Sequence, residues 1–233
     1  MIDDVLFILN LILLTTNLTI AVLLFFMIKN LMKKRINEKI RQYDDFNAIA
    51  KKNGIVFFGD SLTEFYYVHE FFHDRHVYNR GIASDTTSGV LNRLRSNVIS
   101  LAPRKVFLQI GTNDFHKRRA VEYIFSKIKR IIEVLKEHLP ETKIYLISLY
   151  PVNPKIKVFG KIVTYPRKNK NIDRVNLLLE KYAEESNITY IDINSKLKND
   201  KGLLKPEYTL DGLHLTHDGY QLVTDILKIY IDD

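Results

Sequence analysis

Ile55-Val56-Phe57-Phe58-Gly59-Asp60-Ser61-Leu62 is an apolar run that ends abruptly on a glycine, an acid and a hydroxyl. Four consecutive β-branched or aromatic residues without alternation suit a strand buried on both faces, and Gly-Asp-Ser suits the turn that leaves it. The pattern recurs. Candidate strands at 55–58, 76–79, 104–110, 143–149 and 188–191 alternate with helical patterns at 86–101, 119–138 and 170–186, and a last helix is predicted at 216–230. Val121, Ile124, Phe125, Ile128, Ile131, Ile132 and Leu135 return at helical spacing, which marks a core-facing stripe. Strands alternating with helices predict an open parallel α/β sheet with right-handed crossovers. In such sheets, sites form at the carboxyl ends of strands. Ser61, the segment Asn79 to Ser84, and Asn113 all fall just past predicted strand ends.

Ser61 is an ordinary alcohol unless a base takes its proton and donors stabilise the oxyanion its attack creates. Far downstream, Asp211-Gly212-Leu213-His214 offers a base, His214, with a carboxylate, Asp211, that can reach its other ring nitrogen within one turn of chain. An Asp-x-x-His is a weak signal alone. A third polar cluster, Gly111-Thr112-Asn113-Asp114, again closes an apolar run, Val106 to Ile110. His69, His73, His76, His116 and His138 read as surface or core residues, and His217 as a helix-start hydrogen-bonding residue. The glycine that a nucleophile elbow needs two residues after its serine is absent, because Thr63 stands there, so this is not the α/β-hydrolase motif.

Taken in order, the clusters resemble the blocks of the SGNH (GDSL-type) hydrolase family over about residues 54–230. The resemblance implies a three-layer α/β/α fold around a central, mostly parallel five-stranded, flavodoxin-like sheet. It assigns Ser61 as nucleophile, His214 and Asp211 as its partners, and Asn113 as a side-chain donor to the oxyanion. Asp60 and Asp114 become residues that hold the turns. The second block departs from the family pattern, for Ser84 precedes Asp85-Thr86 where a glycine is usual. A backbone N–H survives that change, so Ser61, Ser84 and Asn113 form the expected oxyanion hole if the Ser84 φ is allowed. Gly81 is assigned to the turn. Gly81 to Leu94 and Leu213 to Tyr220 look most like platelet-activating-factor acetylhydrolase catalytic subunits, which implies removal of short acyl groups.

The chain has 233 residues, 46% of them hydrophobic, with 13 Phe and 13 Tyr, enough for one catalytic-sized domain and an appendage. Without cysteine, thiolate catalysis, disulfides and cysteine-ligated zinc are excluded. The net charge of +8 suggests nucleic acid until its location is traced. One patch is Lys29, Lys33, Lys34, Arg35, Lys39 and Arg41 against Glu38. The other is Lys155, Lys157, Lys161, Arg167, Lys168, Lys170 and Arg174 against Asp173, and the rest is nearly neutral. The second patch lies mostly on 150–169, which reads as a long loop over a strand end and as a solvated charge run, with an anionic substrate as the sharper alternative.

Val5 to Ile28 is uncharged and rich in Leu, Ile, Val and Phe. As a helix it spans about 36 Å, enough for a hydrocarbon core of about 30 Å. Asn10, Thr15, Thr16, Asn17 and Thr19 weaken it, but the hydroxyls can bond back to helix carbonyls and an amide can meet a partner helix. A signal peptide would carry its basic residues ahead of the run and close on small residues; here the basic residues follow. The expected organisation is therefore 1–41 as anchor (about 5–28) and basic juxtamembrane segment, and 42–233 as hydrolase domain. Asp3 and Asp4 before the run and the Lys/Arg cluster after it place the domain in the cytoplasm by the positive-inside rule.

These features predict a single-pass, membrane-anchored serine esterase that needs no metal and no cofactor. An O-acetyl esterase or acyltransferase acting on cell-envelope carbohydrate is the alternative on the same triad. A non-catalytic membrane-tethered module is a third reading, which the full set of site residues disfavours. Expected partners are an acyl-ester substrate and the lipid bilayer. A homodimer is compatible with the sequence; nucleic acid is not expected.

Overall fold

The computed structural model describes residues 2–156 and 159–232, so Lys157 of the basic loop lies outside them. Two compact units divide between Gln42 and Tyr43. Helix α1 (Ile2–Ile49) supplies all the described residues of the first unit, and its last turns belong to the second. Among the described residues it is the one helix long and apolar enough to cross a membrane, and none of its most apolar 18-residue window is buried. Thr15, Thr16 and Thr19 turn their hydroxyls onto the carbonyls of Leu11, Ile12 and Thr15 at 2.8–3.0 Å, as expected for hydroxyls in an apolar helix.

The second unit begins with β1 (Ile55–Gly59), α2 (Ser61–Glu64), α3 (Val68–Phe71), β2 (Val77–Gly81), α4 (Thr87–Asn97) and β3 (Lys105–Gln109). It continues with α5 (Thr112–His116), α6 (Val121–His138), β4 (Lys143–Ile147), α7 (Gly160–Thr164) and α8 (Asn169–Glu185). β5 (Thr189–Ile191), α9 (Asn194–Leu197) and α10 (His217–Asp232) complete it. The five strands form one parallel sheet in the order β2-β1-β3-β4-β5. Because strand side chains alternate between faces, β1 serves two cores. Val56 and Phe58 pack with α4, α6 and α8, whereas Ile55 and Phe57 pack with α2, α3 and α10. This makes three layers, as the family resemblance implied, around the parallel sheet that the alternation of elements predicted.

Register aligns Phe57, Phe107 and Tyr145 across three strands. Their rings stack at 4.9 and 4.6 Å, each pair within 10° of parallel, so one aromatic ladder ties the sheet's centre together.

Several boundaries differ from the sequence expectation. The strands expected at 104–110 and 143–149 stop at Gln109 and Ile147, and the chain after Gln109 turns to carry Asn113 to the site. The helix expected over 86–101 ends at Asn97; a 3-10 turn, Ile99–Leu101, and a left-handed Ala102 follow. The 150–169 segment is not all loop, because α7 lies within it. Helices of four or five residues are too short for a 3.6-residue period to register, which is why α2, α3, α5, α7 and α9 escaped the pattern.

In this strand order the direction in which successive strands are added reverses between β1 and β3, and the crevice at that switch point is where open sheets bind ligands. Ser61 follows β1 and Asn113 follows β3.

Candidate active site

Ser61 opens α2, capped by Asp60, whose Oδ1 accepts the Leu62 N–H at 3.0 Å. Asn79 anchors the other end of that turn. Its amide donates to the Thr63 and Tyr66 carbonyls at 2.6 and 2.9 Å, and its oxygen accepts the Gly81 N–H at 2.8 Å. Gly81 itself does not make the turn expected of it. A Cβ there would stand 2.2 Å from the Glu64 backbone nitrogen, so the residue permits close packing of β2 on α2.

The base is held just as closely. Ser61 Oγ lies 3.0 Å from His214 Nε2, and His214 Nδ1 lies 2.6 Å from Asp211 Oδ2. A carboxylate only accepts, so Nδ1 carries the proton and Nε2 is left to accept from the serine. Asp211 Oδ1 also accepts the Leu213 and His214 N–H groups at 2.9 and 2.8 Å. Burial pushes the Asp211 carboxyl up, but these bonds more than offset it, and its pKa falls to about 2. Gly212 between them has φ of 85°, and a Cβ there would meet the Asn153 carbonyl at 2.2 Å. His217 opens α10 and stacks on Phe71 at 5.6 Å, while Thr216 Oγ1 does the helix-start capping expected of the histidine.

Ser84 adopts φ of 67°, the left-handed region where glycine is at ease. The turn the missing glycine would make is thus still made, by a serine. Among the described residues neither the Ser61 nor the Ser84 N–H donates to another protein group. Asn113 Nδ2 donates to the Asp85 carbonyl at 2.9 Å, leaving one of its two hydrogens unspent. Ser61, Ser84, Asn113 and His214 all border one cleft of about 370 Å³, walled by Phe65, Ile162, Val163 and Leu213. A larger recess of about 470 Å³ opens at the amino ends of β4 and β5, beside Lys143 and Thr189, with none of these residues.

The supporting residues form two buried crosslinks. Asp114 accepts the Thr87 N–H and hydroxyl at 2.9 and 2.7 Å, joining the start of α4 to α5. Arg93 pairs with Asp85 at 2.7 Å and donates to the Gly59 and Arg80 carbonyls at 2.8 Å each, drawing three strand-end segments together. Asp60 is fully buried, its Oδ2 has no partner among the described residues, and burial pushes its pKa up to about 7.

Two residues on the cleft wall were read otherwise from sequence. His116, read as a surface or core residue, is exposed and in addition borders the cleft. Arg167, expected in a solvated charge run, is buried and donates to Asn113 Oδ1 at 2.9 Å. Only its place just past a proline in a loop hinted that it is ordered. Among the described residues no group of three or more His, Cys, Asp or Glu side chains could hold a metal ion.

A profile of the GDSL-like lipase/acylhydrolase family matches residues 57–222, which take in every residue of the site. The chain belongs to that family. Rat platelet-activating factor acetylhydrolase IB subunit alpha2 is 28% identical over 175 residues, covering 73% of this chain and 72% of that protein. N-acylneuraminate cytidylyltransferase of Streptococcus agalactiae is 27% identical over 188 residues, 81% of this chain but 40% of that protein. A solved structure described as a platelet activating factor from Streptococcus pneumonia superposes with a TM-score of 0.82 at 32% identity, covering 88% of this chain and 96% of that one. With this membership the chain is a hydrolase of the carboxylic ester type, built on the three-layer GDSL fold.

Proposed function

We propose that the protein is a membrane-anchored serine esterase that removes short acyl groups from a lipid or small-molecule ester. Ser61 Oγ attacks the ester carbonyl while His214 Nε2 takes its proton, and the imidazolium that forms is stabilised by Asp211. The Ser61 and Ser84 N–H groups and the unspent Asn113 hydrogen donate to the negative oxygen of the tetrahedral intermediate. His214 then returns the proton to the leaving alcohol, and water repeats the path to release the acid. The continuous hydrogen-bond chain Ser61–His214–Asp211, at 3.0 and 2.6 Å, is the observation that carries this reading. The apolar walls around Ser61 and the similarity to an acetylhydrolase subunit favour a short acyl group.

Attachment to the bilayer rests on the exposed apolar run of the first unit and the basic residues that follow that run within it. The positive-inside rule puts the enzyme domain in the cytoplasm. No nucleic-acid partner is needed to account for the charge.

O-acetyl esterase or acyltransferase activity on carbohydrate is the second reading, favoured by the similarity to a protein named for an acylated sugar, N-acylneuraminate. Graded p-nitrophenyl esters and O-acetylated sugars offered to the full chain in detergent separate the two. Fast turnover of acetyl esters with little on sugars supports the first, and a preference for acetylated sugar replaces it with the second.

A further inference from the structure

Arg167 is a buried cation that no carboxylate contacts among the described residues. Among the described residues it makes no ion pair, although buried guanidinium groups are costly to desolvate and are ordinarily matched by a carboxylate. Its acceptors are neutral. Nε donates to the Thr112 carbonyl and hydroxyl at 3.0 and 3.1 Å, Nη1 to the Val163 carbonyl at 2.9 Å, and Nη2 to Asn113 Oδ1 at 2.9 Å. Burial lowers its pKa, against the pull of Asp60 and Asp211, yet a guanidinium stays charged at any working pH.

The position of that charge gives it a use. A side-chain amide can turn over, presenting either its oxygen or its nitrogen to the cleft with little change of shape. If Asn113 turned, its oxygen would face both the Asp85 carbonyl and the developing oxyanion, and would repel each. Guanidinium nitrogens can only donate, so Nη2 admits only the amide oxygen on its side, and Nδ2 is left facing Asp85 and the cleft. A charged donor on the oxygen also polarises the amide and makes its N–H groups stronger donors. The Val163 bond ties this arrangement to α7, which carries Ile162 and Val163 on the cleft wall.

We propose that Arg167 is a positioning residue for the oxyanion hole, locking the Asn113 amide with its nitrogen toward the substrate and adding positive potential behind it. The inference rests on the esterase reading above. A double-mutant cycle tests it on the full chain in detergent, read both as p-nitrophenyl acetate kinetics and as the rate at which a fluorophosphonate probe labels Ser61. Asn113→Ala should lower kcat by about 10²–10³-fold, the usual loss for one oxyanion donor. Arg167→Met should lower kcat by about tenfold to a hundredfold, in keeping with the effect of a small misplacement, with KM nearly unchanged. In the Asn113→Ala background Arg167→Met should cost less than about threefold more, because nothing remains to orient. Arg167→Lys, which keeps the charge and one donor, should recover part of the loss. It also carries the cycle if the Met variant does not fold.

Losses that multiply would overturn the proposal, as would a raised KM with intact kcat, which indicates a substrate contact. Full activity in Arg167→Met would do the same. Failure of the esterase reading looks different: turnover and labelling would persist in Ser61→Ala.

Discussion

Ser84 and Asp60 are the two residues where the site departs from easy chemistry. A non-glycine residue in the left-handed region costs roughly 1–2 kcal/mol, and Ser84, with φ of 67°, sits there on the border of the cleft, where the proposed function uses its N–H as an oxyanion donor. Ser84→Gly should therefore keep kcat and change stability by no more than about 1 kcal/mol, since relief of strain is offset by the freer unfolded chain. Ser84→Val, stiff at Cβ, should lower both stability and kcat; a valine variant as active and stable as wild type would contradict the strained-donor account. Asp60 makes a prediction with a sign. The folded protein holds its proton up to about pH 7 whereas the unfolded chain releases it near 3.8, so stability from this group is full at acid pH and lost as pH rises through 7. Asp211 acts oppositely, but only below about pH 4, where its folded pKa of about 2 lies beneath the unfolded value. From about pH 5 to pH 8 the Tm of wild type should thus fall relative to Asp60→Asn; parallel curves would show that Asp60 is not held protonated. Ser61, Asp211, His214 and Asn113 were legible in the sequence because short spacings and motif order encode them. Arg167 was not, since a basic loop residue says nothing of where its loop lands until α7 and α5 are seen together.

Elements repeat the division between what periodicity encodes and what contact decides. Five strands and the long helices α6, α8 and α10 were readable because each has enough residues to show a pattern. The short helices α2 and α5, which aim Ser61 and Asn113, were invisible for want of length, although the polar residues they carry were evident. Crosslinks fasten the strand ends as well: Arg93 holds the carbonyls of Gly59 and Arg80, and Lys105, at the start of β3, reaches the Tyr230 and Ile231 carbonyls near the end of α10 at 2.8 and 3.0 Å. The central aromatic ladder should dominate stability. Phe107→Ala removes the middle ring between Phe57 and Tyr145 and should cost about 3–5 kcal/mol in denaturant unfolding. A loss under about 1 kcal/mol would mean that the sheet closes around the gap.

At the scale of the whole molecule, the apolar first unit predicts that the full chain stays with membranes through alkaline carbonate washing, while release into the wash would mark a peripheral protein. The absence of native cysteine makes the sidedness experiment clean, because a single cysteine introduced at an exposed position of the second unit is the only thiol. An impermeant thiol reagent should fail to label it in intact cells if the domain is cytoplasmic; labelling would place the enzyme outside and favour an envelope carbohydrate substrate. The whole account nevertheless stands on one oxygen, Ser61 Oγ, 3.0 Å from His214 Nε2. Hydrolysis of p-nitrophenyl acetate by wild type and Ser61→Ala, with Tm measured on both, tests it most directly. Turnover and fluorophosphonate labelling should vanish in the variant while Tm is almost unchanged; turnover that survives in a folded Ser61→Ala would contradict the assignment.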